Sequence, residues 1–577
     1  MLGISTAFIV LFLFALTIIG LIKYQNAPEK VFGVLFVTLY TGDLVSTEQV
    51  LSSFSNQGLL TLILLMVCSL SLEKTKLLRV VTSHVIKQSY QATWLRLFVL
   101  TTLASAFLNN TAVVSTMLAP IRNNPHHPAS KLLIPLSYAA ILGGTLTLVG
   151  TSTNLIVNSM VLEAGLPSLK FFDFTLIGFL LVLGCGVLLF FVSRYLPMYQ
   201  HKHKQASDYF FDAKVMQGSN LIGRSIENNG LRNLESLFLV ELIRDGRLIS
   251  PVSPHEVLEE GDRLIFSGDI KKVTLLNQFE GLQSFAHENG LPMGNLTEVV
   301  VRPESALSGR TLKQAGFRAL FDAAVVAIKR DGETISGKLG EIVLRPGDYL
   351  VLAVGEDFKS RHNISKNFYL ISGVETENLL SGFKEKVAVG GFFGAISLAA
   401  FGVVPLFKSM LLLLSLLLIT GSLNTNEILQ RLPKQIWLII SSALLLSQAL
   451  TNTGALNGLD ALIEYHQTSF TPLHALITVY VATWLLTELV TNNAAAALVF
   501  PIAYGLAESL NIAPMGLIMA VAFGASASFI SPYGYQTNLM VYNAGQYRMK
   551  DFVKVGLPIS LFYGLIVVGA ISFLYGY

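Results

Sequence analysis

Charge is what this chain has least of. Only 13% of its 577 residues are Asp, Glu, Lys or Arg, about half the share usual in soluble domains. With 52% hydrophobic residues and a mean hydropathy of +0.58, most of the chain reads as lipid-embedded. Cysteine is nearly absent: Cys68 and Cys185 both lie in apolar segments, so no disulfide framework is expected. No Gly-x-Gly-x-x-Gly and no Walker sequence occurs, which leaves a full dinucleotide fold or an ATP motor unsupported. The polar part shows no nucleophile–base or metal constellation, which argues against an enzyme. No organic cofactor and no nucleic acid polymer is called for. The segment before Lys23 lacks a basic start and a small-residue cleavage site, so it reads as a retained membrane helix.

The charge that is present concentrates between residues 201 and 386. This divides the chain into a membrane half, a polar insert and a second membrane half. Apolar runs of about 20 residues fall near 4–22, 31–46, 57–73, 131–160 and 174–197, then near 387–405, 409–424, 435–453, 512–542 and 553–575. Lys and Arg in short loops mark the cytoplasmic side. Lys23, Lys30, Lys74, Lys76, Lys131, Arg194, Lys384, Lys386, Arg431, Lys434 and Lys550 then lie inside, and both termini lie outside. Two stretches remain, 92–121 and 473–509. A single crossing by either would invert the charge rule downstream, so each reads as a re-entrant hairpin. Its arms of about 15–19 residues reach roughly 22–28 Å. The expected fold is an all-α polytopic membrane protein: an inverted repeat of five spans plus one hairpin per half. Residues 1–205 (hairpin 92–121) form the first repeat and 380–577 (hairpin 473–509) the second, with 201–386 cytoplasmic.

Inside these halves one polar pattern occurs twice. Asn109-Asn110-Thr111-Ala112 precedes Thr153-Asn154-Leu155, and Asn492-Asn493-Ala494-Ala495 precedes Thr537-Asn538-Leu539. The Asn pairs are shifted by 492 − 109 = 383, the Thr-Asn pairs by 537 − 153 = 384. Paired asparagines at membrane depth are costly unless something polar binds there. Duplicated halves with broken polar segments are the mark of secondary transporters. The breaks are expected at Gly150-Thr151-Ser152-Thr153-Asn154 and at 531–538, where freed amides suit an anion and freed carbonyls a sodium ion. The side chains there are Asn, Thr, Ser and Gln536, with no Lys or Arg beside them. The alternative is that Asn and Thr only join helices. Glu488, four residues before Asn492 as Ser105 is before Asn109, is either a sodium ligand or proton carrier, or a structural acid.

The insert holds its own duplication. Gly223-Arg224, Arg244-Asp245-Gly246 and Gly261-Asp262 recur 86 residues on as Gly309-Arg310, Arg330-Asp331-Gly332 and Gly347-Asp348. Short alternating apolar runs between Gly-Asp turns indicate strands. Two small α+β domains are expected, at 206–285 and 286–370.

On these motifs the membrane halves resemble the divalent anion:sodium symporter family, which carries dicarboxylates, citrate and sulfate. A Ser-Asn-Thr motif marks each hairpin tip there; here Asn109-Asn110-Thr111 and Asn492-Asn493-Ala494 stand in its place. The resemblance implies a homodimer in the inner (plasma) membrane and an elevator movement of the hairpin-bearing part. It implies substrate contacts from Asn109, Asn110, Thr111, Thr151, Ser152, Thr153, Asn154, Asn492, Asn493, Ala494, Gln536, Thr537 and Asn538. Sodium would sit with Ser105, Asn110 and Gly150 in one half and with Thr491, Asn493 and Gly524, beside Glu488, in the other. The insert resembles paired TrkA-C domains, which implies a small cytosolic regulatory ligand, and the whole arrangement resembles the sulfate-uptake branch. The expected cargo is a small divalent anion, sulfate first, with di- or tricarboxylates, cation/proton antiport, and a ligand-gated channel or sensor as the alternatives. Asn110→Ala and Asn493→Ala should each abolish or strongly weaken sodium-coupled uptake in proteoliposomes while the protein still folds; full activity in both would remove the site.

Overall fold

Apolar sequence in lipid satisfies its backbone by forming helices, and the computed structural model of this chain is mostly helical. It describes all residues except 1–4, 26, 77–84, 123, 125, 200–209, 232–233, 235–236, 246, 250, 269–278, 286–295, 303–304, 331–332, 336–338, 356, 359–360, 362, 373–379 and 456–470. Gly246, Asp331 and Gly332 of the insert motif therefore lie outside the described residues. The chain separates into two compact units, one of residues 1–197, 378–541 and 549–577, the other of 198–377 and 542–548.

In the first unit the helices before the insert are α1 (Thr6–Lys23), α2 (Pro28–Thr41), α3 (Thr47–Phe54), α4 (Gln57–Glu73), α5 (Tyr90–Ser105), α6 (Asn110–Arg122), α7 (Leu133–Gly144), α8 (Ser152–Glu163) and α9 (Thr175–Val192). Those after it are α10 (Phe383–Ala400), α11 (Leu406–Ile419), α12 (Thr425–Arg431), α13 (Lys434–Asn452), α14 (Pro472–Leu489), α15 (Asn492–Ser509), α16 (Met515–Ser526), α17 (Gln536–Ala544) and α18 (Met549–Tyr575). The two series run in parallel. The short α3 and α12 each start with a capping box, Ser46 with Gln49 and Asn424 with Glu427. Among the described residues, six helical stretches are long and apolar enough to cross a membrane, including Thr6–Lys23, Thr47–Glu73 and Met549–Tyr575. Their apolar residues face outward as well as inward: Phe8, Leu183, Leu485 and Phe573 are all exposed.

The core of this unit is the pair α7 and α16. Every residue of α7 is buried, and so is every residue of α16 from Gly516 onward. Helix α5 packs along α7 and α14 along α16, and α6 and α15 pack on the same two helices. Each expected hairpin is thus two helices and a short link wrapped around one buried helix. The runs 131–160 and 512–542 are each two helices separated by a break, at 145–151 and at 527–535. Both breaks begin earlier than the sequence suggests. The Thr153-Asn154 and Thr537-Asn538 pairs lie in the first turn of the following helix, where Asn side chains can cap loose backbone.

The second unit contains two five-stranded antiparallel sheets. The first is built from β1 (Phe210–Val215), β2 (Leu237–Arg244), β3 (Arg247–Ile249), β4 (Arg263–Gly268) and β5 (Leu282–Phe285), in the order β3-β2-β4-β1-β5. The second, from β6 (Leu296–Val301), β7 (Ala323–Arg330), β8 (Glu333–Thr334), β9 (Tyr349–Val354) and β10 (Phe368–Ser372), has the same order, β8-β7-β9-β6-β10. The bulges of β2 and β7 also correspond, at Leu239/Glu241 and Val325/Ala327. One face of each sheet covers its own core (Leu264 and Phe266; Leu350 and Leu352). The opposite faces pack on each other through Val240, Ile265, Ala324, Val326 and Ala353. Each sheet is pinned by one buried carboxylate. Arg244 grips Asp262 through two bonds of 2.9 Å, and Arg330 grips Asp348 through two of 2.7 Å. The bond to Asp262 pushes the Arg244 guanidinium well above its usual pKa, so it stays charged. Asp348 is only 1% exposed. Arg330→Ala leaves that charge buried and unpaired, at a cost of about 3–5 kcal/mol. Proteolysis within 296–372 should accelerate in this variant and much less in Arg330→Lys; equal rates would dissolve the pin.

Candidate functional site

A helix that stops inside an apolar core leaves amides and carbonyls without partners. In this chain the two breaks solve the carbonyl problem identically. Asn154 donates from Nδ2 to Gly144 O (3.4 Å) and Thr147 O (2.9 Å). Asn538, 384 residues later, donates to Ser528 O (2.8 Å) and Ser531 O (3.5 Å). Gly150 and Gly534 permit the tight passage. A Cβ at Gly150 would lie 2.6 Å from Gly144 O, and one at Gly534 2.5 Å from Thr487 O.

The amides are treated differently. In the first break Thr145 and Leu146 donate back to Leu142 O and Gly143 O, and Leu148 donates to Phe171 O. In the second, Glu488 at the end of α14 collects them. Its Oε1 accepts from Phe529 and Ile530 (2.9 Å each) and its Oε2 from Ser531 (2.7 Å). The structure thus gives Glu488 a structural partner set of three backbone donors.

The links α5–α6 and α14–α15 bring the tips to these breaks crosswise. Thr111 donates to Gln536 at 3.1 Å, at the head of α17. Ser152, at the head of α8, donates to Asn493 at 2.9 Å. These matched contacts align Thr111 with Asn493, a shift of 493 − 111 = 382. Helix α6 starts at Asn110 and α15 at Asn492, again 382 apart. The tips therefore correspond one residue away from the alignment of Asn pairs. Asn110 matches Asn492, and Ser105 matches Thr487 rather than Glu488. Ser105 Oγ donates to Ala140 O at 2.8 Å, just as Thr487 Oγ1 donates to Ala525 O at 2.8 Å.

The expected residues fall into two groups. Asn109, Thr111, Ser152, Thr491, Asn492 and Asn493 are half-buried and Gln536 is exposed, so they form an accessible rim. Asn109 Oδ1 also accepts from Thr111 N, and Thr491 Oγ1 accepts from Ala494 N, so both cap their helices. Asn110, Thr151, Thr153, Asn154, Ala494, Thr537 and Asn538 are buried. Gly524 sits inside α16 against Thr483, on the helix side of the second break. Asn110 closes an oxygen cage: its Nδ2 faces Ser105 Oγ, Gly150 O (3.2 Å) and Ala140 O (3.3 Å), and its Oδ1 accepts from the Tyr535 hydroxyl (2.7 Å). Two backbone carbonyls and a hydroxyl gathered there are oxygen ligands of the kind a hard cation takes.

Several participants were not singled out by sequence. Tyr535 donates to or accepts from Asn110 (2.7 Å) and Thr151 (2.9 Å). Ser137 Oγ lies 2.8 Å from Thr537 Oγ1 and 2.7 Å from Asn538 Oδ1. Ser528 Oγ is buried without a hydrogen-bond partner among the described residues, next to Gly534. A hydroxyl in an otherwise apolar run was their only available signal.

Apolar helices around a buried, polar, broken-helix centre define a multi-pass membrane transporter. The chain belongs to the citrate transporter family (CitMHS), whose profile matches residues 5–524. Among its relatives, a Chlamydomonas reinhardtii protein named for regulating the sulfur-deprivation response is 32% identical over 559 residues, 91% of this chain and 94% of that one. An uncharacterized transporter of Synechocystis sp. is 28% identical over 567 residues, 94% of this chain and 92% of that one. Sodium/sulfate cotransporter 1 of C. reinhardtii is 30% identical over 384 residues, 64% of this chain and 44% of that one.

Glu488→Ala should strand three amides at about 1–3 kcal/mol each, and Glu488→Gln, which keeps one acceptor oxygen, should lose less. Thermal unfolding in detergent should rank wild type above Gln above Ala; an Ala variant as stable as wild type would remove this role.

Proposed function

We propose that the protein is a secondary active transporter that imports a divalent anion, sulfate first, together with sodium. The observation that carries this reading is the crosswise meeting of two tips and two breaks in a centre lined by hydroxyls, carbonyls and amides, with no Lys or Arg among the rim residues. The rim of Asn109, Thr111, Ser152, Asn492, Asn493 and Gln536 offers donors to an oxyanion without a fixed positive charge. Charge compensation then comes from co-bound cations. The Asn110 cage with Ser105, Ala140 and Gly150 holds one sodium; the matching region of Thr487, Asn492, Ala525 and Gly534, with Thr491, Asn493 and Gly524 around it, holds the second. Sodium/sulfate cotransporters among the relatives support both the ion and the anion.

In this reading the two matching helix series, α1–α9 and α10–α18, are an inverted repeat. The α5–α9 and α14–α18 elements move together as an elevator against the remaining helices of a homodimer in the inner membrane. Residues 206–285 and 286–370 are two cytoplasmic TrkA-C-like domains that bind a small regulatory ligand. The family's description favours one second reading, a citrate or dicarboxylate carrier.

The test is radiolabelled sulfate uptake into proteoliposomes with and without an inward sodium gradient, competed by succinate and citrate. Saturable, sodium-driven uptake that resists both carboxylates is expected. Carboxylate uptake in place of sulfate would establish the second reading, and sodium-independent sulfate uptake would remove the coupling.

A further inference from the structure

The side-chain oxygens of the rim are turned onto the protein itself. Asn109 Oδ1 accepts from Thr111 N at 3.0 Å, and Thr491 Oγ1 accepts from Ala494 N at 3.4 Å. A backbone N–H can only donate, so it fixes which end of each side chain it meets. Asn109 is left to present N–H, and the Thr491 hydroxyl keeps its proton to give. Two hydroxyls hold the other amide oxygens. Ser152 donates to Asn493 Oδ1 at 2.9 Å, and Thr111 donates to Gln536 Oε1 at 3.1 Å. Each of these pairs joins the tip of one half to the helix that follows the break of the other. Asn492, the counterpart of Asn110, falls to the second cation region.

The same centre is poor in anionic acceptors. Neither link (106–109, 490–491) and neither break (145–151, 527–535) contains an Asp or Glu. The carboxyl group beside the second link, Glu488, has both oxygens on the amides of Phe529, Ile530 and Ser531. The acceptor capacity that remains lies in further lone pairs on oxygens that the protein already holds in a fixed direction.

This separates two kinds of divalent oxyanion. Sulfate and selenate are fully ionised in neutral water and only accept hydrogen bonds. Hydrogenphosphate and hydrogenarsenate have the same tetrahedral shape and the same charge, but each carries an O–H that needs an acceptor. Once the anion leaves bulk water, an O–H without an acceptor costs about 10–100-fold in affinity. We propose that the rim selects fully ionised tetrahedral oxyanions over hydroxyl-bearing ones, and that Thr111 and Ser152 are positioning residues that set this choice by holding the Gln536 and Asn493 oxygens. This rests on the divalent-anion reading above and narrows it.

Uptake of radiolabelled sulfate into proteoliposomes under an inward sodium gradient reads the choice when selenate and inorganic phosphate compete with it. A mildly alkaline buffer keeps phosphate chiefly as hydrogenphosphate. For wild type, half-inhibition should need about 10–100-fold more phosphate than selenate. Ser152→Ala and Thr111→Val each release an amide oxygen that can turn toward an O–H, so this ratio should fall about tenfold in either variant. Thr111→Ser, which keeps the hydroxyl, should retain the wild-type ratio. A side chain that only supports the fold would weaken both competitors alike and leave the ratio unmoved. Phosphate as potent as selenate on wild type overturns the selection and leaves sulfate transport standing; this comparison needs no variant. A wild-type ratio that persists in Ser152→Ala and Thr111→Val overturns the role of the two hydroxyls, and where one variant does not fold the other decides. Wild type that takes up no sulfate removes the sulfate reading and the selection together.

Discussion

Everything in the helical unit depends on how backbone groups freed by two helix breaks are satisfied away from water. An unpaired amide or carbonyl in an apolar interior costs several kcal/mol. Each break exposes more than one of both. The chain answers with side chains from neighbouring elements: Asn154 and Asn538 for the carbonyls, Glu488 for the amides of the second break. This obligation explains why polar residues gather where two fully buried helices stop. The tips reach the breaks through side chains, Thr111 to Gln536 and Asn493 to Ser152.

The symmetry of that solution was largely legible in the sequence, because the Asn that clamps each break is obligatory and sits 384 residues from its twin. The register of the tips was not. Asn and Thr are both good helix N-caps, so Asn109 on one tip corresponds to Thr491 on the other, and matching letters gave 383 where the fold gives 382. That single residue paired Glu488 with Ser105 and hid its work at the second break. Tyr535 was invisible for a different reason. Its meaning comes from the crossing of the two broken spans, which no local spacing encodes. In the insert, the 86-residue repeat predicted two like units. The apolar outer faces that join them, Val240 and Ile265 against Ala324 and Val326, resembled ordinary strand residues.

The two breaks are therefore equal in shape and unequal in chemistry. The first closes its amides on carbonyls, while the second closes them on a carboxylate. Three backbone donors hold the Glu488 carboxyl group in place at the second break. In the proposed mechanism its side chain occupies backbone amides that could otherwise meet the anion, which leaves the side-chain amides and hydroxyls of the rim as the anion's donors.

A rim without Lys or Arg has a consequence for coupling. Neutral donors can orient an oxyanion, but taking its two charges out of water calls for opposite charge nearby. In the proposed mechanism that charge is present only when the cages are filled, so the anion's affinity is a function of cation occupancy. Linkage makes the dependence reciprocal: the bound anion raises the affinity of the cages by the same factor. A permanent Arg at the rim would retain the anion whether or not sodium was present, and the gradient would then do no work on it. Within this reading, the scarcity of charge that first marks the sequence is what makes its transport conditional on the ion.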